Sequence, residues 1–207
     1  MPHMNLGQAG EHGPRTSRRP VSAPVDLAGW LGAHSNLIAE RWSEGLLAGR
    51  NSGSRAGESL VNAFCRGLVS FLPGMLSPYR AQILPLWSEC AELYGSVAAR
   101  RGLSAGEVIE EFQILREVIV RLMFERPLSA HGALQMRDVL QLNRAVDIGV
   151  TQASVGHTDL LFFNLVDGSG GPAPLGRDDM DEVVEQIRTL REEGGRTMRH
   201  MARIGRE

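Results

Sequence analysis

The sequence predicts an all-α fold: five helices in one bundle, then a linker and a separate amphipathic helix. Three observations carry that expectation. Apolar residues recur at three- and four-residue steps through most of the chain, β-branched runs are rare, and Gly/Pro clusters cut the chain into helix-length segments.

Residues 1–24 are Gly, Pro, Ser, His and Arg with almost no large apolar groups, the composition of a disordered tail. Its Arg15, Arg18 and Arg19 are suited to touching an acidic partner, or simply to being solvated. From Val25 to Ala48, the residues Leu27, Leu31, Leu37, Ile38, Trp42 and Leu46 mark one face of a first helix. After the break at 49–53, a second helix is expected from Arg55 to Phe71, ended by Pro73-Gly74. A third is expected over 79–101, either starting or kinking at Pro85, with Gly102 as its C-terminal cap.

Ser104 and Glu107 form a capping box for a fourth helix, 105–125, whose inner face is Val108, Ile109, Phe112, Leu115, Ile119 and Leu122. Pro127 stops it, and Ser129 is placed to cap a long fifth helix ending near Val166. Leu134, Val139, Leu142, Val146, Val150, Ala153, His157, Leu160 and Leu161 are its expected inner face. Residues 167–176 read as a Gly/Pro linker. In the last segment, 177–207, Met180, Val183, Ile187 and Leu190 fall near heptad a and d positions, and Gly194-Gly195 interrupts the pattern. So narrow an apolar stripe wants a partner, either the bundle or a second copy of the helix.

Composition excludes several classes. The 22 basic and 24 acidic residues give a net charge of −2, without the basic excess of a nucleic-acid binder. No apolar run is long enough for a secretory signal or a membrane span, so a cytoplasmic protein is expected. Cys65 and Cys90 read as reduced core thiols, or as a redox pair if their Cα atoms lie within about 7 Å. The six histidines lack metal-ligand spacing, and no phosphate-binding loop or nucleophile elbow is present. The chain is therefore expected to have no catalytic residues, metal or cofactor. The competing reading is a small-molecule or haem pocket near Trp42, Phe64, Trp87, Phe112 and His157, residues that also suit an ordinary core. Glu111, Arg116 and Asp147 are candidates for a polar switch, with Arg116 in reach of Glu110, Glu111 or Asp147.

The stretch from Gly95 to Arg116 (GSVAARRGLSAGEVIEEFQILR) resembles the central motif of the RsbR-type N-terminal sensor family. The likeness rests on the small-residue helix leading through Arg100 to Gly102, then Glu107-Val108, Glu111-Phe112 and Leu115-Arg116. Leu142-Asn143 and Asp147 on the following helix extend it, so that it covers roughly residues 25–166. The resemblance implies a non-haem, globin-like sensory domain of the kind found on bacterial stressosome co-antagonists and some sensor histidine kinases. It further implies a homodimer that passes a signal through its last helix to a kinase or regulatory domain. This sequence contains no such output domain, so the chain is expected either to work alone through its terminal helix or to be the sensory piece of a longer protein. The terminal helix, through Met180, Val183, Ile187 and Leu190, is expected to carry the dimer contacts.

Overall fold

The computed structural model describes residues 23–24, 26–48, 55–126, 132–169 and 171–204. They form six helices: α1 (Leu27–Ala48), α2 (Arg55–Met75), α3 (Arg80–Arg100), α4 (Ala105–Glu125), α5 (Met136–Val166) and α6 (Arg177–Ile204). Two two-residue segments, β1 (Ala23–Pro24) and β2 (Gly132–Ala133), pair in parallel and tie the start of α1 to the start of α5. The last two residues of the expected tail thus belong to the fold. Residues 1–22 and the expected cap Ser129 lie outside the described residues.

Five helices close a ring. α1 packs on α2, α2 on α3, α3 on α5, α5 on α4, and α4 back on α1. Its centre is aromatic: Trp42 from α1, Phe64 from α2, Tyr94 from α3 and Phe112 from α4, with ring centroids 5.2 to 6.3 Å apart. On the α5 side Gly149 leaves room for Trp87 and Phe112; a Cβ there would sit 2.6 Å from the Trp87 ring. α3 and α5 cross still more closely. A Cβ on Gly95 would lie 1.8 Å from the Ala153 carbonyl oxygen, and one on Gly156 would lie 2.1 Å from that of Glu92. The Ser96 hydroxyl donates to the Gly156 carbonyl at 3.1 Å at the same crossing.

Several helix ends follow the local chemistry. At the end of α3, Gly102 has φ +78° and the Leu103 N–H reaches back to the Ala98 carbonyl at 3.0 Å. The Ser104–Glu107 capping box is formed as expected: the Ser104 N–H donates to Glu107 at 2.7 Å and the Glu107 N–H to the Ser104 hydroxyl at 3.3 Å. α5 starts at Met136 instead of near Ser129, with the Asp138 carboxylate accepting the Gln135 N–H at 3.0 Å.

Four expectations need correction. α2 runs through Pro73 to Met75, because a proline in a last turn removes a single hydrogen-bond donor. α3 spans Arg80–Arg100, close to the expected 79–101, so a start at Pro85 does not hold: the proline lies inside the helix, on its exposed side. α6 is continuous through Gly194-Gly195, since Gly194 is where the helix presses on Phe71; a Cβ would approach that ring to 2.6 Å. The inner face of α5 matches the expected one at Leu142, Val146, Ala153 and His157 and departs from it elsewhere. Asp138, Leu142, Ala145, Val146, Gly149, Ala153, Gly156 and His157 are buried, whereas Leu134 and Leu161 are exposed.

α6 lies outside the ring, parallel to α2 and antiparallel to α3, in the groove between them. Ile187 sits over Gly67, Gly194 over Phe71 and Leu86, and Asp179 beside Arg100. Val183, Ile187, Leu190 and Gly194 are its buried residues, and Met180 is half-buried. The stripe expected to pair with a second copy is therefore covered by the chain's own α2 and α3.

Candidate functional site

The expected ligand pocket is filled by its own lining. Trp42, Phe64, Trp87 and Phe112 are each fully buried, and Trp42, Phe64 and Phe112 join Tyr94 in the ring contacts of the core. His157 is buried apart from that cluster. Its Nε2 donates to the Leu103 carbonyl at 2.7 Å, so the nitrogen that would face a haem iron instead fastens α5 to the turn between α3 and α4. The Trp87 indole N–H is buried with no hydrogen-bond partner among the described residues.

The switch candidates separate into two places. Glu111 is buried in the core, where the Tyr94 hydroxyl donates to its carboxylate and the Trp42 indole N–H donates to its backbone carbonyl at 2.8 Å. One residue of α4 thereby holds the aromatic side chains of α1 and α3. Burial, then the charge and hydrogen bond of Glu111, push the Tyr94 hydroxyl well above its ordinary range, while the charge of Arg101 acts in the opposite sense. Arg116 pairs with Asp147 at the surface, joining α4 to α5. Sequence reasoning had Glu111 and Arg116 as potential partners and missed Tyr94. The tyrosine reads as one more apolar position of α3, and nothing in its spacing marks a carboxylate across the core.

Both cysteines are buried and free. Burial is the main cause of the raised Cys65 thiol, and it pushes the Cys90 thiol up to about 12. They are therefore unreactive thiols at neutral pH. Among the described residues no group of three or more metal-ligating side chains comes together.

A second polar constellation, unforeseen from sequence, fastens α6. The Arg100 guanidinium at the end of α3 donates to Asp179 at 2.7 Å and to the Ala173 carbonyl at 3.1 Å. Asp179 also accepts the Gly176 N–H at 2.9 Å, which caps the helix; that backbone bond is the main cause of its lowered pKa. Arg100 thus holds the linker and the first turn of α6 at once.

No family model, curated protein or solved structure matches the chain.

Two open surfaces stand out among the described residues. The flank of α6 facing α3 and α5 borders a groove of about 730 Å³, with Leu93, Leu160, Phe163 and Leu190 among Glu89, Glu92, Asp159, Glu182, Glu185 and Glu193. On the ring itself, α4 exposes Ile109, Val120 and Phe124, and α5 exposes Met136, Leu140 and Val155. Both sets recur at helical spacing, as 109, 113, 116, 120, 124 on α4 and 136, 140, 144, 147, 151, 155 on α5. Arg116 and Asp147 belong to these stripes, so their ion pair places the two side by side as one face, in which the apolar residues alternate with Gln113, Arg116, Arg144, Asp147 and Thr151.

Proposed function

We propose that the chain is a non-catalytic sensory and signal-relay module, working as a homodimer, in which α6 passes the state of the ring to a partner. The observation that carries this reading is the docking of α6. A helix of 28 residues rests on an already closed ring through four buried residues, the half-buried Met180, Val184 and Met198, and one part-buried ion pair, Arg100–Asp179. Such an element can leave its groove without opening the five-helix core, and local release of that kind is what a relay needs. The resemblance of residues 95–116 to RsbR-type sensors points the same way. It also supports a bacterial, cytoplasmic setting in stress signalling, with a kinase or regulatory domain as the reader.

The homodimer is assigned to the α4–α5 face. The α6 stripe is engaged within the chain, whereas Phe124 is 86% exposed and Met136 73% exposed on the α4–α5 stripes. Two such faces stacked together make a four-helix interface.

Light scattering on the full chain, alone and as Phe124→Glu, tests the dimer. The expected result is a dimer that the charge converts to a monomer, and a monomeric wild type would sink it. Amide exchange on Asp179→Asn tests the relay. Protection should fall along α6 while the ring keeps its own. If α6 and the ring exchange together in both proteins, α6 is an integral part of the core and not a relay.

A further inference from the structure

The flank of α6 opposite the acidic groove carries a pocket of about 800 Å³ between α2 and α6, bounded by Phe71 and Met198 and by several arginines. One of these, Arg188, is already neutralised by Glu185 and Glu192. Glu192 lines the pocket too, paired with Arg188, whereas Arg191, Arg196 and Arg199 make no ion pair among the described residues, so three unneutralised cations border one concavity. The chain contains no lysine, so it is the placement and not the residue type that singles these three out.

The backbone supports the arrangement. Gly194 is required by its contact with Phe71, but no packed neighbour explains Gly195. The nearest atoms to a Cβ at Gly195 belong to the Arg199 guanidinium, at 3.3 Å. Glycine there costs about 1 kcal/mol of helix stability relative to alanine. What it provides is room for Arg199 to fold back over the helix toward the pocket. Arg191 likewise lies along α2, with its stem 3.9 Å from the Cβ position of Gly67.

We propose that this pocket binds a small organic diphosphate, with its phosphates on Arg191, Arg196 and Arg199 and its less polar part against Phe71 and Met198. Guanidinium groups match phosphate oxygens in paired hydrogen bonds, and a diphosphate supplies the charge that three unneutralised cations lack. The pocket is larger than inorganic phosphate needs, and its apolar wall gives the remainder of the ligand a place to lie. Binding here is independent of the relay reading, because it concerns the intact chain whatever its oligomeric state.

The test is calorimetric titration of the full chain at fixed ionic strength with ADP and with inorganic pyrophosphate. One site per chain is expected, with ADP the tighter ligand. Arg196→Gln and Arg199→Gln should each weaken ADP by about tenfold or more, while Arg203→Gln, outside the pocket, leaves it unchanged. These residues are exposed, and circular dichroism checks that each variant is folded. Absence of saturable binding would overturn the proposal. So would equal losses in Arg203→Gln and Arg199→Gln, which would mean diffuse attraction, and so would pyrophosphate binding as tightly as ADP. Binding to vesicles of anionic lipid without binding to either probe would reassign the arginines to a membrane surface and overturn it too.

Discussion

Glu111 shows how much one side chain can organise. Its carboxylate receives the Tyr94 hydroxyl and its carbonyl receives the Trp42 indole, so three helices meet on one residue. Removing the hydroxyl in Tyr94→Phe takes a donor from a buried carboxylate without creating a large cavity. The expected loss is about 1–3 kcal/mol in urea denaturation, and a change within error would mean that the bond contributes nothing. The thiols and this tyrosine also set an upper pH limit. All three are held neutral in the fold by burial, so their folded pKa values exceed those of the unfolded chain. A raised pKa contributes stability that is fully present below the unfolded value and is lost as pH rises through the folded one. The melting temperature should therefore hold up to about pH 8 and decline above pH 9, where unfolded thiols ionise. Replacing Cys65 and Cys90 by Ala should flatten that decline. Neither thiol should react with a disulfide reagent until the protein unfolds.

At the scale of elements, the crossing of α3 and α5 is the least forgiving contact. Gly156→Ala would drive a methyl group against the Glu92 carbonyl, which is backbone and cannot rotate away. The expected cost is about 1–3 kcal/mol or more, read from the urea midpoint, against little change for Gly106→Ala, whose nearest neighbour is 3.8 Å away. Helices were the most legible feature of the sequence, and the reason is physical. Apolar spacing and the Ser104–Glu107 box act locally, so α4 is found where its capping chemistry puts it. Pro73 and Gly194 misled because a helix stop is decided by what tertiary packing tolerates. The first turn of α5 holds its Asp138 inward for a similar reason: the acid caps its own helix and is buried doing so. The candidate sites were less legible still. Tyr94 with Glu111, Arg100 with Asp179, and the arginine pocket all join residues that are distant in sequence or hidden among ordinary helix-surface charges.

For the whole molecule, the decisive feature is the division between a closed ring and an added helix. The ring buries the large aromatic residues, while α6 buries four residues and keeps its charged flanks free. Those flanks differ: carboxylates border the groove toward α3 and α5, and arginines the pocket toward α2. The Phe124→Glu experiment belongs at this scale, since it asks whether the α4–α5 face completes the ring's surface in a pair. It is separable from the behaviour of α6, because the two surfaces share no residue.

The contact of α1 with α4 joins distant parts of the chain. Trp42 finds its acceptor 69 residues downstream at Glu111, and Trp30 finds its own 96 residues downstream at Arg126. During synthesis α1 is therefore covered first on the side that meets α2, while the side of Trp30 and Trp42 that meets α4 stays open until α4 has left the ribosome. The entropy of closing so long a loop makes this join a late step, after the hairpin of α4 and α5 has formed. With Trp87 replaced by Phe, the indole fluorescence of Trp30 and Trp42 then serves as a clock for this join. A chaperone that binds exposed apolar helices would find α1 first.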